Sequence, residues 1–390
     1  MRILIVAPFC SLPGETHFNR FLHLSRVLSE NHEVVLITSR FRHFDKEQRE
    51  ISQNSENFSI VLIDEPGYKR NVSLARVLSH AVFFRNFRVW FENSIYEKKA
   101  DVVYSAYPLI STNLYLGTVK KRLGFKFILD IQDVWPESIA SVFPVLRHFD
   151  PQWLPLSRKA DKVYRSADVL VAVSKTYLQR AKSVNGHALS KVVYIGCDGV
   201  ALPLNESFDL NPEDTHFVYA GTLSHSYDLR TVVKGFAKIW NEGGKNFILH
   251  ILGDGPDRNV LESLSKPNVK FYGFIQYTRM LAFLRSVDVC INALSVGAQQ
   301  SVTNKFCDYV FSGKCIVNSQ TNSEILGILK EFPHVNYLAG DLDDFVKAIR
   351  ISAGVASKHA SFLLLEKFDR SRSYPDLVKF IEMSHDTLSA

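Results

Sequence analysis

The sequence predicts an α/β protein made of two doubly wound parallel sheets. Short runs rich in Val and Ile alternate with helix-length segments from end to end, and the alternation breaks once, near residue 200, before it restarts. Such runs read as parallel strands buried on both faces. Strand–helix alternation specifies a doubly wound sheet. A chain of 390 residues is long enough for two such domains, each with its own core.

The first half supplies the runs RILIVAP, HEVVLITS, SIVLID, DVVYSA, KFILDI, DVLVAVS and KVVYIG. Phe18, Phe21, Leu22, Ser25 and Leu28 fall on one stripe, which predicts a helix over 18–28. The stretch GVALPLNESFDLNPEDT holds prolines, acids and Asn with no sustained period, so it is the best linker in the chain. The second half restarts with HFVYAG, NFILHILG, NVKFYG, VDVCINAL, GKCIVNS and a short VNYLAG. Domains over 1–200 and 201–370 are expected, with 371–390 as a terminal segment. The two halves share an architecture and not a repeated sequence.

Forty-six Lys and Arg against forty Asp and Glu give a net charge of +6. That excess suits a phosphate-bearing ligand or an anionic membrane surface, but it lacks the clustered cations of a dedicated nucleic-acid binder, so no nucleic-acid partner is expected. Cys10, Cys197, Cys290, Cys307 and Cys315 are scattered and form no CxxC, which predicts reduced thiols in the cytoplasm and no zinc site. No apolar run approaches the ~20 residues that cross a bilayer. The opening MRILIVAPFCSLPG reads as a strand and not as a signal peptide. No GxGxxG follows any strand, which argues against a dehydrogenase.

Open α/β sheets bind ligands beyond the carboxyl ends of their strands. After HFVYAG come Gly221, Thr222, Leu223 and Ser224, then a helix starting at Ser226 or Asp228. A glycine turn before a helix N-terminus suits a phosphate, with Arg230 and Lys234 as candidate charges. On this stretch alone, an ordinary strand-to-helix turn with solvated basic residues is the plainer account. Gly253, Asp254, Gly255 and Pro256 follow the next strand, where Asp254 accepts from a ligand hydroxyl or caps a helix. Gly273 and Phe274 stand at a third strand end, placed to read the edge of a nucleobase.

The run VDVCINALSVGAQQSVTNKFCDYVFSGKCIVNS is the most informative. A helix is expected over Asn304–Ser312, ended by Gly313, with Phe306, Tyr309 and Val310 buried. Asn304, Lys305 and Asp308 are left near the helix start or on its open side. A cation beside unpaired helix N–H groups holds a diphosphate well. The plainer alternative is that Lys305 and Asp308 form a solvated pair worth a few tenths of a kcal/mol.

In order, strand–GTL, strand–GDGP, strand–YGF and NKFCDYVFSGKCIV resemble the nucleotide-sugar domain of GT-B glycosyltransferases. The resemblance is to the large retaining family four, which includes many bacterial polysaccharide and lipopolysaccharide enzymes. RILIVAPF followed by NHEVVLITS is similar to that family's start, and DIQDVWPES resembles a block in relatives that build surface glycans. The resemblance covers essentially the whole chain. It implies two Rossmann-like domains facing a cleft, an acceptor domain over 1–200, a donor domain over 201–370, and a last helix crossing back to the first domain.

Residue by residue, the resemblance implies that Asp308 meets the donor ribose. Eight positions earlier it puts Gln300 beside the donor sugar, where the family has a carboxylate. An amide there bonds hydroxyls but does not stabilise positive charge at the anomeric carbon. His225, Arg230 or Lys305 must supply the charge on the diphosphate. Gly14 lies in the loop that the family turns toward donor phosphates and acceptor. Asp133 stands where many relatives have a His that contacts the transferred sugar, placed to orient an acceptor hydroxyl or act as a base; a helix-capping acid before Pro136 at the first helical position is the alternative. The implied donor-binding set is Gly14, Gly221, Thr222, His225, Arg230, Gly253, Asp254, Gly255, Phe274, Asn304 and Asp308, with Asp133, Lys305 and Gln300 nearest the chemistry.

The implied reaction is retaining, uses no cofactor and requires no metal, because cations and helix N-termini stabilise the leaving diphosphate. The implied partners are a nucleotide-diphosphate sugar, UDP-linked, and a lipid-linked or oligosaccharide acceptor. A 2-epimerase of UDP-sugars and a non-catalytic nucleotide-sugar-binding subunit are the competing readings. The stretch LARVLSHAVFFRNFRVWFEN, with Arg76, Arg85 and Arg88 interspersed, is apolar nearly all round a helical wheel. It reads as a buried crossover helix with snorkelling arginines, or as an element lying on the cytoplasmic face of an anionic membrane.

Overall fold

A computed structural model describes residues 1–13, 15, 20–50, 56–70, 73–138, 154–197, 208–296, 302–355 and 366–389. The chain forms two compact units, Met1–Val193 with Tyr374–Ala390, and Tyr194–Ser373.

The first unit contains β1 (Arg2–Val6), α1 (Arg20–Ser29), β2 (Glu33–Ser39), β3 (Phe41–Arg42), β4 (Glu47–Gln48), β5 (Ser59–Ile63), α2 (Leu74–Glu97), β6 (Val102–Tyr107), α3 (Ile110–Leu123), β7 (Lys126–Ile131), α4 (Ser157–Ser166), β8 (Val169–Ala172), α5 (Lys175–Lys182) and β9 (Leu189–Val192). Its parallel sheet runs β5-β2-β1-β6-β7-β8-β9. Interior β6 is buried at every residue, while the edge strands β5 and β9 are mostly half-buried. On one face, Phe21, Leu22, Leu24 and Leu28 of α1 join Ile3, Ile5, Leu36 and Tyr104 of the sheet in one core. Tyr374, Leu377, Val378 and Ile381 complete that core from the end of the chain.

Three details differ from the sequence reading. The last strand of this unit occupies 189–192, earlier than KVVYIG suggests, because the chain leaves the sheet after the Val193 N–H donates to the Ala172 carbonyl at 2.9 Å. The antiparallel pair β3–β4 was not anticipated, since two-residue strands carry no period. Nor is α2 buried all round. Ser79, Phe83, Phe87, Phe91 and Ile95 form its buried stripe, while Leu74, Val77, Leu78, Val89 and Tyr96 are exposed.

The second unit contains β10 (Thr215–Ala220), α6 (Leu229–Asn241), β11 (Phe247–Leu252), α7 (Arg258–Leu264), β12 (Val269–Gly273), α8 (Tyr277–Ser286), β13 (Val289–Asn292), α9 (Asn304–Ser312), β14 (Cys315–Asn318), α10 (Ser323–Leu329), β15 (His334–Asn336) and α11 (Leu342–Ala353); α12 (Arg370–Ser389) leaves it at its end. Its parallel sheet runs β12-β11-β10-β13-β14-β15. The chain winds from β10 to one edge and then from β13 to the other. Beyond the carboxyl ends of β10 and β13 the connections diverge, which is the switch point where doubly wound sheets bind ligands.

All five cysteines are buried and unpaired. Burial, opposed by Arg49, pushes the Cys10 thiol up to about 12. Among the described residues no helix is long and apolar enough to cross a membrane.

Candidate active site

The switch point of the second unit is built around the end of β10. The Ala220 N–H donates to the Tyr309 hydroxyl at 2.8 Å, and that hydroxyl faces the Ala220 carbonyl at 3.3 Å, so α9 is fastened to the strand end. Gly221 then turns away with φ of 138°. Its N–H donates to the Leu252 carbonyl at 2.8 Å, and Leu223 N–H donates to the Asp254 carbonyl at 3.0 Å. A β-carbon on Gly253 would stand 2.0 Å from the Gly221 carbonyl oxygen, so glycine at 253 lets the two loops pack backbone against backbone.

Lys305 enters this floor from α9. Thr303 caps the helix by accepting the Phe306 N–H at 3.3 Å, and Gly313 ends it at φ of 70°. The Lys305 Nζ donates to the Tyr219 hydroxyl at 2.7 Å, which in turn donates to the Thr222 carbonyl at 2.9 Å. The same Nζ lies 3.4 Å from the Tyr227 ring centroid and 4.3 Å from that of Tyr219. Among the described residues no carboxylate pairs with it. Two aromatic faces return roughly 2 kcal/mol each at best, whereas desolvating an ammonium costs several. Burial therefore pulls the Lys305 pKa well below the lysine range. An anion arriving here would meet a group that has no counter-charge among the described residues.

The solvated pair between Lys305 and Asp308 does not form. Lys305 turns to β10, while buried Asp308 accepts from the Tyr277 hydroxyl of α8 at 2.7 Å. Burial first, and Asp308 second, push that phenol above its ordinary range.

The other expected residues are distributed as follows. Thr222 and His225 are exposed in the loop after Gly221. The His225 carbonyl accepts from the Ser295 hydroxyl at 2.9 Å and the Ser226 carbonyl accepts from the Ser295 N–H at 3.1 Å, so the loops after β10 and β13 are tied together. Asp228 stands at the start of α6 without capping its N–H groups, binding instead the Thr231 hydroxyl at 2.6 Å and the Gly340 N–H at 2.8 Å. Arg230 and Lys234 are exposed on α6, and Asn304 is exposed at the start of α9. Asp254 accepts the Gly255 N–H at 2.7 Å and pairs with Arg258 at 3.1 Å. Phe274, next to Gly273, is 57% exposed. Gly221, Thr222 and Lys305 are thus brought together, and Asp254 and Phe274 stand at the neighbouring strand ends. Gln300 and Gly14 lie outside the described residues.

Asp133 belongs to the first unit, in the turn after β7. Its carboxylate accepts the Val134 N–H at 2.8 Å and the Ser138 hydroxyl at 3.2 Å, and burial raises its pKa. The other acids of that block also have internal partners: Asp130 faces Arg20 at 3.3 Å, and Glu137 pairs with Arg180, which reaches Asp161 at 2.8 Å.

Sequence reasoning missed Tyr219, Tyr227 and Tyr277, and placed Tyr309 in the buried stripe without its bond to Ala220. For Tyr219 and Tyr309 the available signal is a tyrosine inside an otherwise apolar strand or helix stripe, because a buried phenol must find a hydrogen-bond partner; Tyr227 in its loop and Tyr277 at the start of α8 carry no such signal.

No known protein-family profile matches this sequence, and no curated protein matches it. Solved structures do match over nearly the whole chain. The sucrose-phosphate synthase of Thermosynechococcus elongatus superposes with a TM-score of 0.70 at 13% identity, over 98% of both chains. HepE of Anabaena, solved with UDP-glucose, gives 0.63 at 13% identity over 98% of this chain and all of that one. The lipopolysaccharide outer core galactosyltransferase WaaB gives 0.60 at 17% identity over the same shares. The chain has the fold these proteins share, the GT-B fold with two Rossmann-like α/β domains.

Proposed function

We propose that the protein is a retaining glycosyltransferase that takes a sugar from a nucleotide-diphosphate donor, UDP-linked, and passes it to a lipid-linked or surface-glycan acceptor without a divalent metal. The observation that carries this is Lys305. Its amine is held at the switch point by Tyr219 and Tyr227, beside the first turn of α9 and against Gly221. A leaving diphosphate gains negative charge as the bond from the anomeric carbon to its oxygen breaks. A preorganised cation and helix N–H groups stabilise that charge in the transition state more than in the ground state.

In this reading Lys305 is the diphosphate cation, ahead of His225 and Arg230, because Arg230 faces solvent on α6. Asp308 receives the ribose hydroxyls, with Tyr277 fixing its Oδ1. Asp254 and Phe274 line the nucleoside side, and Gln300 bonds the transferred sugar. Asp133, raised by burial, orients the acceptor hydroxyl or takes its proton. The protein works on the cytoplasmic face of the membrane, with the exposed side of α2 against anionic lipid.

The deciding experiment is a melting-temperature screen of UDP, GDP and their sugars, since a ligand that binds only the native state raises the transition. UDP-sugars are expected to stabilise the parent. Lys305→Ala should lose that shift and about a hundredfold in transfer rate. Conversion of UDP-N-acetylglucosamine without any acceptor would instead identify an epimerase. An isolated chain that binds UDP-sugars and transfers nothing would leave only the non-catalytic subunit.

A further inference from the structure

A second group of basic side chains, in the first unit, surrounds Tyr68. The residues come from four places: Phe9 follows β1, His43 and Lys46 lie in the turn between β3 and β4, Tyr68 follows β5, and Arg76 and His80 stand in the first turns of α2. His43 Nδ1 lies 2.5 Å from the Tyr68 hydroxyl. Lys46 Nζ is 4.9 Å and Arg76 Cζ is 5.6 Å from the Tyr68 ring centroid. His80 packs edge-on to the same ring at 5.8 Å. Phe9 touches both imidazoles, with centroids at 4.9 Å and 5.7 Å. The His80 Nε2 is buried and has no hydrogen-bond partner.

Two physical features set this group apart from solvated surface lysines and arginines. Burial, together with the charges of Lys46 and Arg76, holds His43 down to about 3, and burial with Arg76 holds His80 down to about 4. The protein thus concentrates positive charge where it already costs the neighbouring groups their protons. The second feature is backbone geometry: Lys46 adopts φ of 63°, a left-handed conformation suited to Gly or Asn. Its amine donates to the His43 carbonyl and stays over the Tyr68 ring. The group also sits beyond the carboxyl ends of parallel strands, where such sheets bind ligands.

We propose that this cluster is the anchoring site for a phosphate group on the acceptor, with Lys46, Arg76 and the His80 Nε2 directed at the phosphate oxygens and Phe9 and Tyr68 against its apolar neighbour. That the phosphate is the acceptor's rests on the glycosyltransferase reading; the anion site itself does not. The phosphate belongs either to a soluble sugar phosphate or to the diphosphate of a prenyl-linked glycan.

The test uses the full chain carrying Lys305→Ala, so that binding in the second unit is disabled and failure of the donor reading cannot mask the result. Glucose 1-phosphate, farnesyl diphosphate and glucose are titrated by calorimetry. At least one phosphate compound is expected to bind while glucose does not, and the tighter of the two identifies the source. Adding Lys46→Ala and Arg76→Ala together should weaken binding about a hundredfold, one decade for each charge-assisted contact. Adding Lys46→Gly instead should leave the melting temperature unchanged or raised, because glycine relieves the left-handed turn, and should weaken phosphate binding about tenfold. Undiminished affinity in the Lys46→Gly protein, or no binding of either phosphate compound at millimolar concentration, overturns the proposal.

Discussion

A β-carbon placed on Gly221 would stand 2.8 Å from the Nζ of Lys305 and 3.0 Å from its Cε. The strand-end glycine thus leaves room for the tip of the helix lysine, 84 residues away in sequence. Gly221 also holds φ of 138°, which side-chain-bearing residues rarely adopt. Gly221→Ala is expected to cost roughly 1–3 kcal/mol through backbone strain and to push the amine off Tyr219. Urea unfolding reads the first effect. Loss of the UDP-induced melting shift at a temperature where the variant is still folded reads the second.

Lys305 gives a pH signature in two experiments of opposite sign. Its folded pKa is depressed by burial below the ordinary lysine value of 10.5, so unfolding takes up a proton between the two values. Stability rises with pH wherever the unfolded chain binds more protons. Lys305→Met is accordingly expected to be more stable than the parent near neutral pH, with the gap closing as pH rises to 10.5. A bound diphosphate favours the charged amine, so in the pH range where the folded amine titrates UDP binding should take up protons, and its apparent enthalpy there should vary with the ionisation enthalpy of the buffer. A buffer-independent enthalpy for the parent, equal to that of Lys305→Met, would remove the lysine from the diphosphate site.

The parallel strands and α9 are legible in the sequence because their signals are local. Val102–Tyr107 is buried along its whole length and so reads as one apolar run, and Gly313 marks the end of α9 by its own left-handed turn. The phenols around Lys305 are not legible for the opposite reason. Tyr309 meets Ala220 across 89 residues, and Tyr277 meets Asp308 across 31, and no period encodes such a meeting. The Lys305–Asp308 spacing suggested an ion pair, yet a nearby cation-accepting phenol and a nearby phenol donor drew the two side chains apart. The basic group around Tyr68 was invisible because its members come from a hairpin too short to carry a pattern and from separate strand ends.

Arg20 and Asp130 form a buried charge pair in the first unit, with side chains 2% and 0% exposed. Asp130 also accepts from the Tyr104 hydroxyl at 2.7 Å and the Gln132 amide at 2.7 Å, while Arg20 donates to the Val193 carbonyl at 3.0 Å. Removing one member of such a pair strands the other without its counter-charge and costs roughly 3–5 kcal/mol. Arg20→Met should lose about that much at neutral pH. Burial already holds the Asp130 carboxyl above its ordinary value against the pull of Arg20. Without Arg20 it rises further, so the deficit should shrink on acidification, when the carboxyl is neutral in both states. A deficit independent of pH between neutrality and pH 4, in denaturant titrations of parent and variant, would mean that packing and not charge holds these residues.

The outer face of α2 provides the last prediction. Leu74, Val77, Leu78, Val89 and Tyr96 are 88%, 68%, 63%, 58% and 94% exposed, and Arg85 and Arg88 share that face at helical spacing. Phe84, by contrast, is half-buried and packs edge-on to Tyr115 at 6.0 Å, so it does not belong to the exposed set. A helix that buries every fourth residue and leaves leucines, valines and arginines outward matches an element lying in the headgroup region of an anionic bilayer. Each exposed aliphatic side chain contributes up to roughly 1.5–3 kcal/mol on insertion, and Arg85 adds about 1 kcal/mol near an anionic surface, whereas Arg88 is already paired with Glu92 at 3.2 Å. Val77→Glu with Leu78→Glu should therefore reduce partition onto phosphatidylglycerol vesicles by more than tenfold, and salt should weaken the parent's binding by screening its arginines. Because both positions face solvent, the variant should keep the parent's melting temperature. Partition that is unchanged in the variant, or equal on neutral and anionic vesicles, would separate this face from any membrane role.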